Sequence, residues 1–195
     1  RRLANPANRT AIRGAGFMAA EFAHVFSALG SRVTVVARRN ALLRQVDNEI
    51  SQRFTVVAQD QWDVRLNTEL SKVSSNENGG VSEVRLDFAD GSNVIGDVLL
   101  VATGRVPNTA NLGLDVAGIT VRGDGRVKVD AHGRTNVEGV WALGDVSSDY
   151  QLKHVANHEA RVVAHNLAHP GDLRGFDHRF VPEAVFTSRR SPASD

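Results

Sequence analysis

Thr10-Ala11-Ile12-Arg13-Gly14-Ala15-Gly16-Phe17-Met18-Ala19-Ala20-Glu21, continued through Phe22 to Arg38, is the stretch that decides the fold. A short strand ends near Ile12, and Gly14-Ala15-Gly16 makes a turn. Apolar residues at Phe17, Ala20, Phe22, Val25, Phe26 and Leu29 then predict a helix from about Phe17 to Leu29. Gly30 ends that helix, and Arg32-Val33-Thr34-Val35-Val36-Ala37 is an apolar, β-branched run. Strand, Gly-rich turn, helix and strand make a βαβ unit with a parallel pair.

Further along, a second helix is expected from about Asn48 to Ala58, and a short strand around Trp62 to Leu66. Leu70 to Ser74, Val81 to Phe88 and Asn93 to Val94 are separated by the turn signals Asn76-Glu77-Asn78-Gly79-Gly80 and Asp90-Gly91. They read as a small antiparallel meander. Val98-Leu99-Leu100-Val101-Ala102 reads as a strand buried on both faces. Arg105-Val106-Pro107-Asn108 reads as a linker, and residues 119 to 130 as a hairpin around Gly123-Asp124-Gly125. Gly139 to Leu143 is expected to be another buried strand, and His154 to Leu167 a helix. Ser188 to Asp195 is polar and reads as a frayed end. The alternation of strands and helices places the chain in the α/β class.

Composition narrows the function. The chain has 195 residues and a net charge of +1, from 23 Lys+Arg against 22 Asp+Glu. That balance supplies no polybasic surface for a nucleic acid or a membrane. The cysteine count is zero, so a disulfide framework, a Cys-ligated zinc and a Cys nucleophile have no residues here. No apolar run approaches the ~20 residues of a membrane span. The expectation is a soluble, cytoplasmic protein, with no nucleic-acid and no membrane partner. The first residue is Arg1 rather than Met, which is read as a truncation.

Gly14-Ala15-Gly16-Phe17-Met18-Ala19 fits G-x-G-x-x-A between a strand and a helix. Gly14 permits the tight turn, Gly16 lets backbone approach a pyrophosphate, and the small Ala19 lets helix pack on strand. Free N–H groups and the positive dipole end of the helix face the phosphates. A plain tight turn is the alternative. The end of the second strand carries Arg38-Arg39, with Arg44 six residues after Arg38, where an NAD site usually has a carboxylate. Guanidinium forks bind a 2′-phosphate by charge-assisted bonds, so NADPH is favoured over NADH. Arg38 and Arg44 are the chosen pair; Arg39 could point either way, and a solvated basic strand end is the bland alternative. Gly144-Asp145 follows an apolar run and, taken alone, reads as a turn. Asp145 could still accept bonds from sugar or ribitol hydroxyls. His154 and His158 stand four apart on a helix, but no third metal ligand has suitable spacing.

Three motifs in order carry a wider resemblance: Gly14 to Glu21, Ala102-Thr103-Gly104-Arg105-Val106-Pro107-Asn108, and Ala142-Leu143-Gly144-Asp145-Val146. Together they resemble the flavoprotein pyridine-nucleotide disulfide reductases from about Thr10 to Thr187. Glu21 to Phe26, Leu152 to Arg161 and Val181 to Thr187 are most similar to the mycothione reductase branch. The resemblance implies a Rossmann-like NADPH-binding domain with a β-meander over residues 1–106. The C-terminal part of an FAD-binding domain would follow over 107–170, then a truncated start of a dimerisation domain over 171–195.

It implies cofactors NADPH and FAD. Gly14, Gly16 and Ala19 would line the NADPH pyrophosphate, and Glu21 would sit near the nicotinamide. Arg38 and Arg44 would hold the 2′-phosphate, and Gly104 would lie against the nucleotide. Gly144-Asp145 would form the FAD turn, with Asp145 on the ribitol. Lys153 and His154, at a helix N-terminus, would present backbone N–H groups to the flavin, where the dipole favours an anion. The implied substrate of the complete enzyme is a small-molecule disulfide, mycothiol disulfide, and the family assembles as homodimers. The redox cysteine pair, the other half of the FAD site, the His-Glu acid/base pair and most of the dimer surface would lie outside this chain. The implied catalytic set within it is therefore empty.

Two further readings stand beside this one: a non-catalytic NADP(H)-binding module and a non-functional gene remnant. Arg13 favours the remnant, because a charge in a buried parallel strand is costly. Asn5-Pro6-Ala7-Asn8-Arg9 is a poor strand lead-in, and Ser188 to Asp195 departs from the family pattern.

Overall fold

The computed structural model describes residues 7–78 and 81–187. The expected frayed tail and Asn5-Pro6 of the lead-in lie outside these residues. The described chain divides into two compact units, one up to Gly104 with the segment from Ala184, the other Arg105–Glu183.

The first unit opens with β1 (Arg9–Arg13), α1 (Phe17–Ala28) and β2 (Arg32–Val36), followed by α2 (Asn48–Gln61) and β3 (Asp63–Arg65). β4 (Leu70–Asn78), β5 (Val81–Phe88) and β6 (Asn93–Gly96) form an antiparallel sheet, and β7 (Val98–Val101) returns to the first sheet. That sheet has the order β3-β2-β1-β7 and every pair in it is parallel. Arg13 pairs with Val36 on one side and Val101 on the other, so the strands end together at one edge.

Side chains of a strand alternate faces, and both faces of β1 and β2 are buried. Ile12, Val33 and Val35 pack with Ala19 and Ala23 of α1 and with Ala58 and Trp62. Ala11 and Val36 pack on the other face against Leu86, Phe88 and Val94 of the meander. Burial of one large aliphatic side chain contributes about 1.5–3 kcal/mol, so these alternating residues fix the register. The small buried face of α1, Ala19, Ala20 and Ala23, lets that helix lie close to the sheet. Asp47 caps α2 by accepting the backbone N–H groups of Glu49 and Ile50.

The second unit contains one long helix, α3 (Lys153–Ala168), and one tight helical turn over Gly144–Val146. The rest is turns joined by the isolated bridges Val121–Val127 and Arg134–Trp141. α3 turns Val155, Glu159, Val162, Val163 and Asn166 inward.

Three expectations are corrected. Val98–Val101 is an edge strand, half-buried, and Val101 is exposed, because only β1 pairs with it. Gly139 to Leu143 is not a strand: beyond the Arg134–Trp141 bridge, no strand runs beside it among the described residues. The short hairpin around Gly123-Asp124-Gly125 is present: Val121 bridges Val127 antiparallel, and the Arg122 and Lys128 N–H groups donate to Arg126 O and Thr120 O. Arg13 is exposed, since it is the last residue of β1 and emerges at the sheet edge. The burial cost expected of it does not arise.

Candidate functional site

Several of the residues singled out above lie near the C-terminal edge of the parallel sheet. The Gly14 N–H donates to Val36 O at 3.0 Å, which folds the turn back over the end of β2. Gly14 has φ +153°, and a Cβ placed on it would lie 2.8 Å from the Ala102 carbonyl carbon. Only glycine tolerates both that conformation and that approach. Gly16 is the N-cap of α1 and, having no side chain, gives no cap bond to the first turn. The first backbone N–H groups of a helix have no acceptor inside it, so the turn presents open donors and a positive dipole end. Ala19 is buried under the turn, and Gly104 lies past β7 with open space where a Cβ would stand.

Arg38 and Arg39 follow β2 and are exposed, as is Arg44. None of the three has an ion-pair or hydrogen-bond partner for its side chain among the described residues. Arg13 and Arg32 of the same unit are likewise unpaired among the described residues, whereas Arg9, Arg53, Arg65 and Arg85 all meet carboxylates. The loop that carries Arg44 is seated on the Gly-rich turn, because the Leu43 N–H donates to Ala15 O at 2.6 Å. A Cβ on Gly16 would lie 3.4 Å from Gln45 Nε2, in the same loop. Glu21, one turn along α1, is half-buried, and its Oε1 accepts the Phe186 N–H at 3.1 Å. Thus Gly14, Gly16, Arg38 and Arg44 lie on the connections that follow β1 and β2, and Ala19 and Glu21 lie in the helix that the glycine turn begins.

In the second unit, Gly144 has φ +70° and begins the tight turn that exposes Asp145. Arg105 Nη1 stands 3.6 Å from Asp145 Oδ2; both side chains are about half exposed, so the pair is weak. The Gly144 N–H donates to Glu159 Oε2 at 2.6 Å, and Glu159 is 1% exposed. Its other oxygen lies 2.9 Å from His178 Nε2. Lys153 and His154 begin α3 and are exposed, and the N-cap residue Leu152 makes no side-chain cap bond. His158 Nε2 accepts the Asp177 N–H at 3.1 Å.

Sequence reading passed over Glu159, Ser51 and Thr55. A signal was present for each. Glu159 is a charge at an inward position of the α3 stripe, and Ser51 and Thr55 are hydroxyls four apart on the buried face of α2.

The donor set fits a phosphorylated dinucleotide: open N–H groups for a pyrophosphate and carboxylate-free guanidinium groups for a further phosphate. Comparison with known proteins gives a matching answer. Residues 1–160 match the pyridine nucleotide-disulphide oxidoreductase family. The chain is 52% identical over 190 residues to the mycothione reductase of Mycobacterium tuberculosis, covering 95% of this chain and 40% of that protein. It is 34% identical over 180 residues to the glutathione reductase of Burkholderia cepacia, covering 92% of this chain and 39% of that protein. Among solved structures, the HOCl-induced flavoprotein disulfide reductase RclA of Escherichia coli superposes with a TM-score of 0.85 at 30% identity. That match covers 95% of this chain and 42% of the other. The chain therefore spans about two fifths of the length of the relatives it matches. It belongs to the pyridine nucleotide-disulphide oxidoreductases.

Proposed function

We propose that the first unit binds NADPH for a disulfide oxidoreductase, and that the second contributes part of an FAD site. The carrying observation is the juxtaposition at the sheet edge of an uncapped, glycine-lined helix start with arginines that no carboxylate neutralises. Gly14 and Gly16 let the backbone reach the pyrophosphate, Arg38 and Arg44 hold the 2′-phosphate, and Glu21 orients the nicotinamide end. Asp145 takes flavin ribitol hydroxyls, and the first turn of α3 at Lys153 and His154 faces the flavin ring. Mycothione and glutathione reductases, relatives of this chain, use FAD and NADPH. When bound, these groups supply hydride transfer; this chain's own residues bind, orient and compensate charge.

The substrate of the whole enzyme is proposed to be mycothiol disulfide, on the 52% identity to a mycothione reductase. Cytoplasmic location and a homodimer are proposed on the same kinship. None of the helices among the described residues is long and apolar enough to cross a membrane. The 195 residues hold no cysteine, so any dithiol step rests on residues outside them. That count also supports the second reading, a module that binds NADP(H) without catalysis.

Calorimetric titration of the purified chain with NADPH and with NADH tests the proposal. Binding of NADPH with NADH much weaker is expected. Equal binding, or none, overturns it.

A further inference from the structure

Leu42 immediately precedes the two residues that carry the phosphate loop, Leu43 and Arg44. Its peptide groups are held from outside the loop. The Leu42 N–H donates to Thr55 Oγ1 at 3.0 Å, and the Leu42 carbonyl accepts from Ser51 Oγ at 2.6 Å. Thr55 Oγ1 in turn donates to Ser51 O at 2.7 Å. All three bonds are buried, and Ser51 and Thr55 are 2% and 6% exposed. Buried hydroxyls this well used leave no polar group of the set unpaired.

The opposite side of the loop is fastened as well. Leu43 donates to Ala15 O of the Gly-rich turn and adopts φ +52°, a conformation costly for a branched side chain. The loop is therefore anchored at Leu42 by the hydroxyl pair of α2 and at Leu43 by the glycine turn, and Arg44 follows directly after them. Free guanidinium groups on a long side chain gain affinity when their backbone is fixed in advance.

We infer that Ser51 and Thr55 are positioning residues for the 2′-phosphate: through Leu42 they set where Arg44 stands, and so set the preference for NADPH over NADH. This rests on the NADPH reading above. Neither hydroxyl touches the nucleotide; both act on the loop.

The test is a titration series on the full chain with NADPH, NADH and 2′,5′-ADP, for the unaltered protein and for Thr55→Val, Thr55→Ser and Ser51→Ala. The unaltered protein comes first. If it does not prefer NADPH to NADH, the NADPH reading itself falls. If it does, Thr55→Val is expected to weaken NADPH and 2′,5′-ADP roughly tenfold, the worth of one charge-assisted bond. NADH should change less than about twofold, and Thr55→Ser should restore the unaltered preference. A purely structural role would lower all three ligands together, or none. A folded Thr55→Val that keeps the NADPH-to-NADH ratio overturns the inference. Should Thr55→Val not fold by circular dichroism, Ser51→Ala decides by the same ratio: a reduced ratio supports the inference, an unchanged one overturns it.

Discussion

The buried carboxylate of Glu159 accepts the Gly144 N–H at 2.6 Å, so a helix residue fixes the turn that exposes Asp145. A hydrogen bond made by a buried side chain is costly to lose, because its partner is left unsatisfied. Glu159→Ala leaves the Gly144 N–H without its acceptor and opens a hole beneath the second turn of α3. It is expected to cost about 1–3 kcal/mol, read as a lower urea midpoint at unchanged slope. Glu159→Gln, which keeps an acceptor, is expected to cost less.

Among the glycines of the first unit, Gly14 is the one whose added side chain would meet backbone most closely. Its φ is left-handed and any side chain meets the backbone of Ala102. Gly14→Ala is expected to destabilise by at least about 2 kcal/mol and to abolish nucleotide binding. Thermal melts and NADPH titration of the same sample check both parts.

Arg38→Ala and Arg44→Ala each remove one free guanidinium from the phosphate end. Each is expected to weaken NADPH roughly tenfold while leaving NADH unchanged and the melt within about 0.5 kcal/mol. Raising the ionic strength should weaken NADPH for the unaltered chain more than for either variant. A titration at two salt concentrations reads this.

Asp97 links the start of β1 to the start of β7. Burial alone would raise its carboxyl. The hydrogen bonds from the Arg9 side chain and backbone N–H outweigh that and hold it below the usual carboxylate range. A carboxyl lowered in the folded state adds stability above its unfolded value. That stability is lost as pH falls through the folded one. Asp97→Asn should therefore lower stability at neutral pH and flatten its decline toward acid. Urea melts across the acid range compare the slopes.

The β1–α1–β2 unit, α2, the meander and α3 were all legible, because each combines an apolar period with a turn or cap residue that closes it. The burial of Val98 to Val101 was not. An apolar run looks the same at the centre of a sheet and at its edge, and only the strand order tells them apart. The run at Gly139 to Leu143 failed for a related reason: a strand needs a partner, and its own residues do not name one. Arg13 was misread because the strand's last residue was assigned the burial of its middle. At the candidate site, motif spacing singled out Gly14, Gly16 and the arginines. The supporting bonds of Ser51, Thr55 and Glu159 depend on long-range packing that no spacing encodes.

The position of β7 beside β1 also bears on how the chain is made. Arg9 and Asp97, whose ion pair joins those two strands, are 88 residues apart in sequence. At about 5–20 residues per second, the ribosome needs roughly 4–18 seconds to bridge them. Through that interval the nascent β1 has β2 on one side and an open hydrogen-bonding edge on the other. The Ala102 N–H donates to Arg13 O at 2.8 Å, so the residue before the glycine turn gains that bond only once β7 has emerged. Truncated translation products that stop short of Val98 should therefore be captured by chaperones, and those that reach past Ala102 released.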